Sequence, residues 1–174
     1  MQALLALVGE GVLRPTAEQV AEHAGVGTRT VFRHFADMEG LHAEMSERIR
    51  REVAPLFDGP PTTGSIAERA RALVRARAAA FERIANFKRS GNLQRLDSVV
   101  GRRQQALMPR LERENLLAAL PELERAAEPL REAVDMATSF EAWDRLRVDQ
   151  RLGRERAESV MEHAVLALLR PLSR

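Results

Sequence analysis

The sequence predicts an all-α protein, and three observations support this fold class. Ala, Leu, Arg and Glu dominate the 174 residues, whereas Ile and Thr are sparse and Tyr is absent, which is a composition typical of helices. No segment shows the apolar-polar alternation of a strand. Pro and Gly residues divide the chain into segments of helical length. We therefore expect about nine helices.

Caps and breakers define the helices of an N-terminal domain over residues 1–57. Thr16 and Gln19 have the spacing of a capping box, and Gly25 is a natural helix stop. The predicted helices are residues 2–9, a second between Thr16 and Gly25, a third from Gly27 or Thr28 to near Phe35, and a fourth from Asp37 to about Val53, before Pro55.

A C-terminal helical bundle is expected over residues 58–174, because DGPPTTG at 58–64 is the Pro/Gly-rich stretch that marks a domain boundary. Ser65, with Glu68 three residues later, opens a long helix to about Lys88, which Ser90-Gly91 should end. The remaining predicted helices are residues 92–115 with a kink or break at Pro109, a segment from Pro121 to about Val148 that Pro129 interrupts, and residues 154–170.

Composition excludes several classes of protein. The absence of Cys excludes disulfide scaffolds, Cys-zinc fingers and thiol nucleophiles. No apolar stretch is long enough to span a membrane, and residues 1–13 lack the features of a signal peptide, so we expect a cytoplasmic protein without membrane contact. The net charge of +2 is uneven: residues 1–57 carry −2, residues 58–113 carry +7 and residues 114–174 carry −3.

Residues 16–41 read TAEQVAEHAGVGTRTVFRHFADMEGL and predict a helix-turn-helix. Ala21 allows close approach of the second helix, Gly25 takes the turn conformation that other residues resist, and Val31 packs back between the helices. We expect a small core that Val20, Ala24, Val26 and Phe35 complete. The second helix of such a motif enters the major groove of DNA.

The outward side of that second helix carries side chains that can read double-stranded DNA. The predicted base contacts are Thr28, Arg29, Phe32 and Arg33. Arg can bond guanine O6 and N7, Thr can reach a base or a phosphate, and Phe can touch a thymine methyl group. We expect Thr16 and His34 nearer the phosphate backbone. For Phe32, core packing is an equal alternative.

The run V-A-x-x-A-G-V-x-x-x-T-V-F-R-H-F at residues 20–35, continued by Glu39 and Leu41, resembles the TetR family of transcriptional regulators. The resemblance implies a homodimer that binds a palindromic operator, probes it with two recognition helices, and acts as a repressor released by a small-molecule effector. The chain departs from the family where Met38 replaces the usual Lys, which reaches a phosphate, and where Gly27 replaces a common Ser. Many members also carry a basic arm before the first helix, and no basic residue precedes residues 2–9 in this sequence.

The C-terminal part, SFEAWDRLRVDQRLGRERAESVMEHAVLALL at residues 139–169, is similar to the last two helices of many family members. The resemblance implies that these helices form the dimer interface, with contacts by Phe140, Trp143, Met161, Val165 and Leu168. Core packing is the alternative for these apolar stripes. Effector contacts are expected from Phe81, Phe87, Met108 and Met136, for which core packing is again the alternative.

The sequence carries no catalytic constellation, and we expect neither an enzyme, a metal site nor a cofactor. It has no Gly-rich phosphate loop, no nucleophile elbow and no H-x-x-x-H pair. The Arg-rich segment 69–88 reads as an amphipathic helix, although one or two Arg could instead meet an anionic effector. A second interpretation of the whole chain stays open: a helical ligand- or partner-binding protein whose helix-turn-helix no longer binds DNA.

Overall fold

The computed structural model describes residues 1–34, 38–57, 59, 62–95 and 107–172. Within these ranges the chain is all-α, as predicted, with nine α-helices, short 3-10 turns and no strand. The helices are α1 (Gln2–Gly9), α2 (Ala17–His23), α3 (Thr28–His34), α4 (Met38–Phe57), α5 (Ile66–Arg95), α6 (Leu107–Ala119), α7 (Glu128–Ala137), α8 (Phe140–Asp144) and α9 (Arg154–Leu169). None of the described helices is long and apolar enough to cross a membrane.

The chain forms two compact units, and each combines two stretches of sequence. The first unit contains Met1–Val53 and Ile84–Met108, and the second contains Ala54–Arg83 and Pro109–Arg174. The division therefore falls inside α4, α5 and α6, and each of these three helices contributes residues to both units. The functional boundary after residue 57 stays a prediction.

A buried apolar core holds the first unit together. The helices α1 and α2 pack against each other, and α2 packs against α3. Apolar side chains from these helices and from the start of α4 meet in this core. Its buried members are Ala3, Leu4, Val8, Val20, Ala21, Val31, Leu41 and Met45, and Phe87 of α5 packs against them.

Two predicted breaks in helices are absent from the structure. α5 continues through Ser90-Gly91 to Arg95, because Ser90 is completely buried and its hydroxyl donates a hydrogen bond to the Leu13 carbonyl at 2.7 Å. α4 continues past Pro55 to Phe57, so its last turn places the side chains of Val53 and Phe57 in buried positions. Tertiary packing outweighs the local breakers in both helices.

One break appears where we expected continuous helix. The segment expected to run to about Val148 is interrupted at Thr138-Ser139, between α7 and α8. The Ser139 hydroxyl caps α8 by accepting a hydrogen bond from the Ala142 N–H at 3.2 Å. The chain then continues as a π-helical turn at Arg145–Asp149.

Arginine side chains connect the helices of the second unit. Arg77 of α5 is 1% exposed, and its Nη1 donates to the carbonyl and the hydroxyl of Thr138 at 2.8 and 2.7 Å. Its Nη2 donates to the Glu112 carbonyl in α6. Arg147 bonds Glu82 of α5, which also accepts the indole N–H of Trp143 at 3.1 Å. Hydrogen bonds of charged side chains thus connect α5 to α6, to Thr138 at the end of α7, to α8 and to the π-helical turn.

Candidate nucleic-acid interface

The first helix of the candidate interface, α2, has a fixed start. Thr16 Oγ1 accepts a hydrogen bond from the Gln19 N–H at 3.3 Å, and Gln19 Oε1 accepts one from the Thr16 N–H at 2.8 Å. This reciprocal pair is the predicted capping box, which satisfies backbone donors at the helix N-terminus. The Thr16 side chain is therefore held at the surface, where a phosphate could approach it.

A tight turn connects α2 to α3. Gly25 has φ of +66°, in the left-handed region that glycine adopts without strain, and the Val26 N–H donates to the Ala21 carbonyl at 3.0 Å. The predicted role of Gly25 is thus confirmed. The predicted core positions of Ala24 and Val26 are wrong, because both residues lie on the outer side of the turn, with Val26 42% exposed.

The two sides of α3 differ sharply in exposure. Val31 is 6% exposed and packs in the core of the first unit, as the motif predicts. Arg29, Phe32 and Arg33 are exposed, with Phe32 at 49%. These three residues are spaced by three and four positions, so they occupy one face of the helix. Thr28 is half-buried at the start of the helix.

Some predicted contacts lie outside the described part of the structure. His34 ends α3, but its side chain is not among the described ones, and neither are those of Met38 and Glu39. Phe35 and Asp37, expected as a core residue and a helix cap, also lie outside the described residues. The backbone role expected for His34 stays a prediction.

Acidic groups border the candidate interface. Glu18 lies in the first turn of α2, and hydrogen bonds from its own backbone N–H and from Thr16 lower the pKa of its carboxyl group. Glu18 is therefore ionised at neutral pH, two residues from a predicted phosphate contact. This charge opposes a phosphate, so the positive charges of Arg29 and Arg33 have to supply the attraction.

The side chains expected to contact an effector have different surroundings. Phe81 is fully buried in the second unit and packs edge-on against Phe140, with 5.6 Å between the ring centroids. Phe87 packs against the core of the first unit. Met108 is half-buried, and Met136 is 69% exposed. Effector binding by these residues stays a prediction.

The side chains expected at the dimer interface are mostly covered within the chain itself. Phe140, Trp143, Met161 and Val165 are each at most 1% exposed, and Leu168 is half-buried. These four buried residues have little surface left for a partner. The same region also exposes two apolar side chains that are not among the predicted interface contacts, Val148 at 47% and Val160 at 40%. Val160 belongs to the apolar stripe of the helix expected over residues 154–170, whereas no pattern in the sequence singles out Val148.

Among the described residues, no group of three or more His, Cys, Asp and Glu side chains could hold a metal ion. One histidine is nevertheless unusual. His42 of α4 is 8% exposed, and its Nδ1 has no hydrogen-bond partner among the described atoms. Burial lowers the pKa of this imidazole below its ordinary value of 6.5.

Comparisons with known proteins agree with this geometry. Residues 3–45 match the family described as bacterial regulatory proteins, TetR family. The crystal structure of a TetR transcriptional regulator from Rhodococcus sp. RHA1 is similar in fold, with a TM-score of 0.56, 20% sequence identity, and coverage of 99% of this chain and 96% of that chain. A comparison with curated proteins gives no match.

The family match covers α1, α2, α3 and the start of α4, the elements that form the core of the first unit. The similarity to the solved structure extends over nearly the whole chain and concerns its fold. The chain is therefore similar over residues 3–45 to the TetR family of bacterial regulatory proteins, and its fold is similar to that of a TetR transcriptional regulator.

Proposed function

We propose that the protein is a transcriptional regulator that binds a palindromic DNA operator as a homodimer and leaves it when a small-molecule effector binds, so that it acts as a repressor. One observation carries the proposal: α3 buries Val31 and exposes Arg29, Phe32 and Arg33 together on its other side. A short helix with one buried side and one basic, exposed side is what the major groove accepts.

The proposed base contacts are Thr28, Arg29, Phe32 and Arg33, with Thr16 and His34 nearer the phosphates. An arginine side chain can donate two hydrogen bonds to a guanine, and each such pair contributes about 1–3 kcal/mol of discrimination. The capping box at Thr16 supports a phosphate contact, since it fixes the start of α2 at the surface.

A homodimer follows from the size of the recognition element. One helix of seven residues reads few base pairs, and a two-fold dimer presents two such helices to half-sites one turn of DNA apart, about 34–36 Å. The exposed apolar residues Val148 and Val160, on the π-helical turn and α9, support self-association of this region. Leu168, half-buried on α9, is the predicted interface residue with surface still available.

Release by an effector requires two conformations that bind DNA differently. The ligand must favour the conformation that binds DNA poorly, and DNA must then weaken ligand binding by the same factor. We place the effector in the C-terminal domain and the change of position in α4, in line with the family. Phe81, Phe87, Met108 and Met136 are the proposed effector contacts.

The recognition helix can be tested with single arginine variants of the full chain. Duplexes are selected from a randomised library with wild-type protein, and their affinities are measured by fluorescence anisotropy. We expect Arg29→Ala and Arg33→Ala each to lose about 1–3 kcal/mol of binding free energy and to relax base preference. Arg125→Ala is the matched control, because Arg125 is an exposed arginine of the second unit.

Unchanged affinity and base preference in both recognition-helix variants would contradict the assignment of α3. If the wild-type chain selected no sequence at all, the second interpretation would hold instead: a helical ligand- or partner-binding protein with a helix-turn-helix that no longer binds DNA.

A further inference from the structure

The segment of residues 10–16, the α1–α2 linker, connects the end of α1 to Thr16, the residue that caps α2. Its own backbone holds its first part. Gly11 has φ of +99°, and the Val12 N–H donates to the Leu7 carbonyl at 2.9 Å. This is the hydrogen bond of a Schellman motif, in which a left-handed glycine ends a helix. The linker therefore leaves α1 in a fixed direction.

The later part of α5 holds the second part of the linker. The Ser90 hydroxyl donates to the Leu13 carbonyl at 2.7 Å, and Ser90 is completely buried. One turn further along α5, the Leu93 carbonyl accepts a hydrogen bond from Arg14 Nη2 at 3.1 Å. All four residues belong to the first unit. Two consecutive residues of the linker are thus bound to α5, and the bond of Ser90 is the one that is shielded from water.

The chain between Leu13 and Thr16 is short and stiff. Three residues span at most about 11 Å, even when they are fully extended. Pro15 is buried, its ring holds φ near about −65°, and it restricts Arg14 before it to extended conformations. Few conformations can therefore connect the two residues, so the position of Leu13 determines where Thr16 lies.

Thr16 lies near a phosphate in the proposed function, on which this inference rests. Its capping box orients its side chain relative to α2, whereas the linker determines where α2 begins. We infer that Ser90 is a positioning residue for DNA binding. Its hydroxyl holds the Leu13 carbonyl and, through Pro15, fixes the point at which Thr16 meets the phosphate. Ser90 itself does not contact DNA, because it is completely buried.

Ser90→Ala removes the hydroxyl group and keeps the rest of the side chain, so it gives a direct test. The affinity of the full chain for a duplex selected from a randomised library is measured by fluorescence anisotropy. We expect binding to weaken about fivefold for each half-site, the loss that corresponds to one hydrogen bond. Base preference should not change, because α3 keeps its side chains.

Ser139→Ala is the matched control. It is the same substitution, and it also removes a hydroxyl that donates to a carbonyl, that of Met136 at 2.8 Å, but it lies in the second unit. We expect this variant to bind the selected duplex as tightly as wild type does. Circular dichroism checks that both variants are folded.

A double-mutant cycle measures whether Ser90 acts through Thr16. Thr16→Ala removes the proposed phosphate contact, and Ser90→Ala should cause no further loss of affinity in that background. Pro15→Ala keeps the Ser90 hydroxyl but loosens the linker, so it should weaken binding in the same Thr16-dependent way. This variant also provides the test if Ser90→Ala does not fold.

Three results would overturn the role of Ser90 and leave DNA binding in place. In the first, wild type prefers its selected duplex, and Ser90→Ala and Pro15→Ala bind it equally tightly. In the second, Ser90→Ala and Ser139→Ala lose the same affinity. In the third, Ser90→Ala weakens binding by the same factor with and without the Thr16 side chain. A wild-type chain without sequence preference would overturn the proposed function and this inference together.

Discussion

At the scale of single residues, Arg77 shows how the second unit holds a buried charge. Its guanidinium is 1% exposed, and its Nη atoms donate to Thr138 and to the Glu112 carbonyl. Burial lowers the pKa of Arg77 to about 10, so the side chain is still positively charged at neutral pH. Three acceptors on α6 and at the end of α7 depend on this one side chain.

Removing Arg77 should therefore destabilise the protein strongly. We expect Arg77→Ala to lower the free energy of unfolding by about 3–5 kcal/mol, because it leaves buried acceptors unsatisfied and opens a cavity. Arg75→Ala, two positions away on the same helix, should change it by less than about 0.5 kcal/mol, since Arg75 is exposed. Urea unfolding followed by circular dichroism measures both. Equal effects of the two variants would contradict the role of Arg77.

His42 predicts a pH dependence of the first unit. Because burial lowers the pKa of His42 in the folded state, the unfolded chain binds a proton at His42 more readily than the folded chain does. The contribution of neutral His42 to the stability of the folded state is therefore fully present above about pH 6.5. It decreases as the pH falls below 6.5, the pKa of His42 in the unfolded chain. Leucine at this position would remove the titrating group.

Thermal unfolding between pH 7.5 and pH 5 measures the effect. Wild type should lose stability over this range, His42→Leu should lose less, and His163→Gln should behave like wild type because His163 is exposed. A wild-type slope that His42→Leu does not reduce would show that another group causes the pH dependence.

At the scale of elements, features that depend on neighbouring residues could be predicted from the sequence, whereas features that depend on residues far along the chain could not. The capping box of Thr16 and the left-handed Gly25 depend on residues within one turn of the chain, and both are present. Ser90 depends on Leu13, which lies 77 positions away, so no local rule predicts that α5 continues through it. The outward position of Val26 likewise follows from how the turn is packed rather than from its residue type.

The cap of α2 can be tested by itself. Thr16→Ala removes the oxygen that accepts the Gln19 N–H, and we expect a loss of about 1 kcal/mol in the free energy of unfolding. Thr63→Ala is the matched control, because Thr63 is an exposed threonine outside the helices. Chemical unfolding measures the free energy of unfolding of both variants. If Thr16→Ala lost no more of it than Thr63→Ala, the cap would not contribute to stability.

At the scale of the whole molecule, the sequence predicted the all-α class and the exposed face of α3 more accurately than it predicted the surface of the C-terminal helices. An apolar stripe on a helix looks the same whether the chain or a partner covers it. Trp143 and Met161 proved to be buried within the chain, whereas Val160 is 40% exposed. Tertiary packing, which a single sequence does not reveal, makes this difference.

Self-association through α9 should therefore depend on Val160. We expect Val160→Glu to weaken the dimer about tenfold or more, because a buried, unpaired carboxylate costs several kcal/mol. Ala118→Glu adds the same charge at an exposed position of α6 and should leave association unchanged. Analytical ultracentrifugation over a range of concentrations measures the dissociation constants. Dimers of equal strength in both variants would place the interface elsewhere.

The central claim, that the chain binds DNA with sequence preference, is tested most directly by measuring its affinity for a selected duplex and for an unrelated duplex over a range of salt concentrations. The proposed function predicts tighter binding to the selected duplex at every salt concentration, with an affinity that falls steeply as salt rises because phosphate contacts release counterions. Equal, weak and salt-insensitive binding of the two duplexes would contradict it.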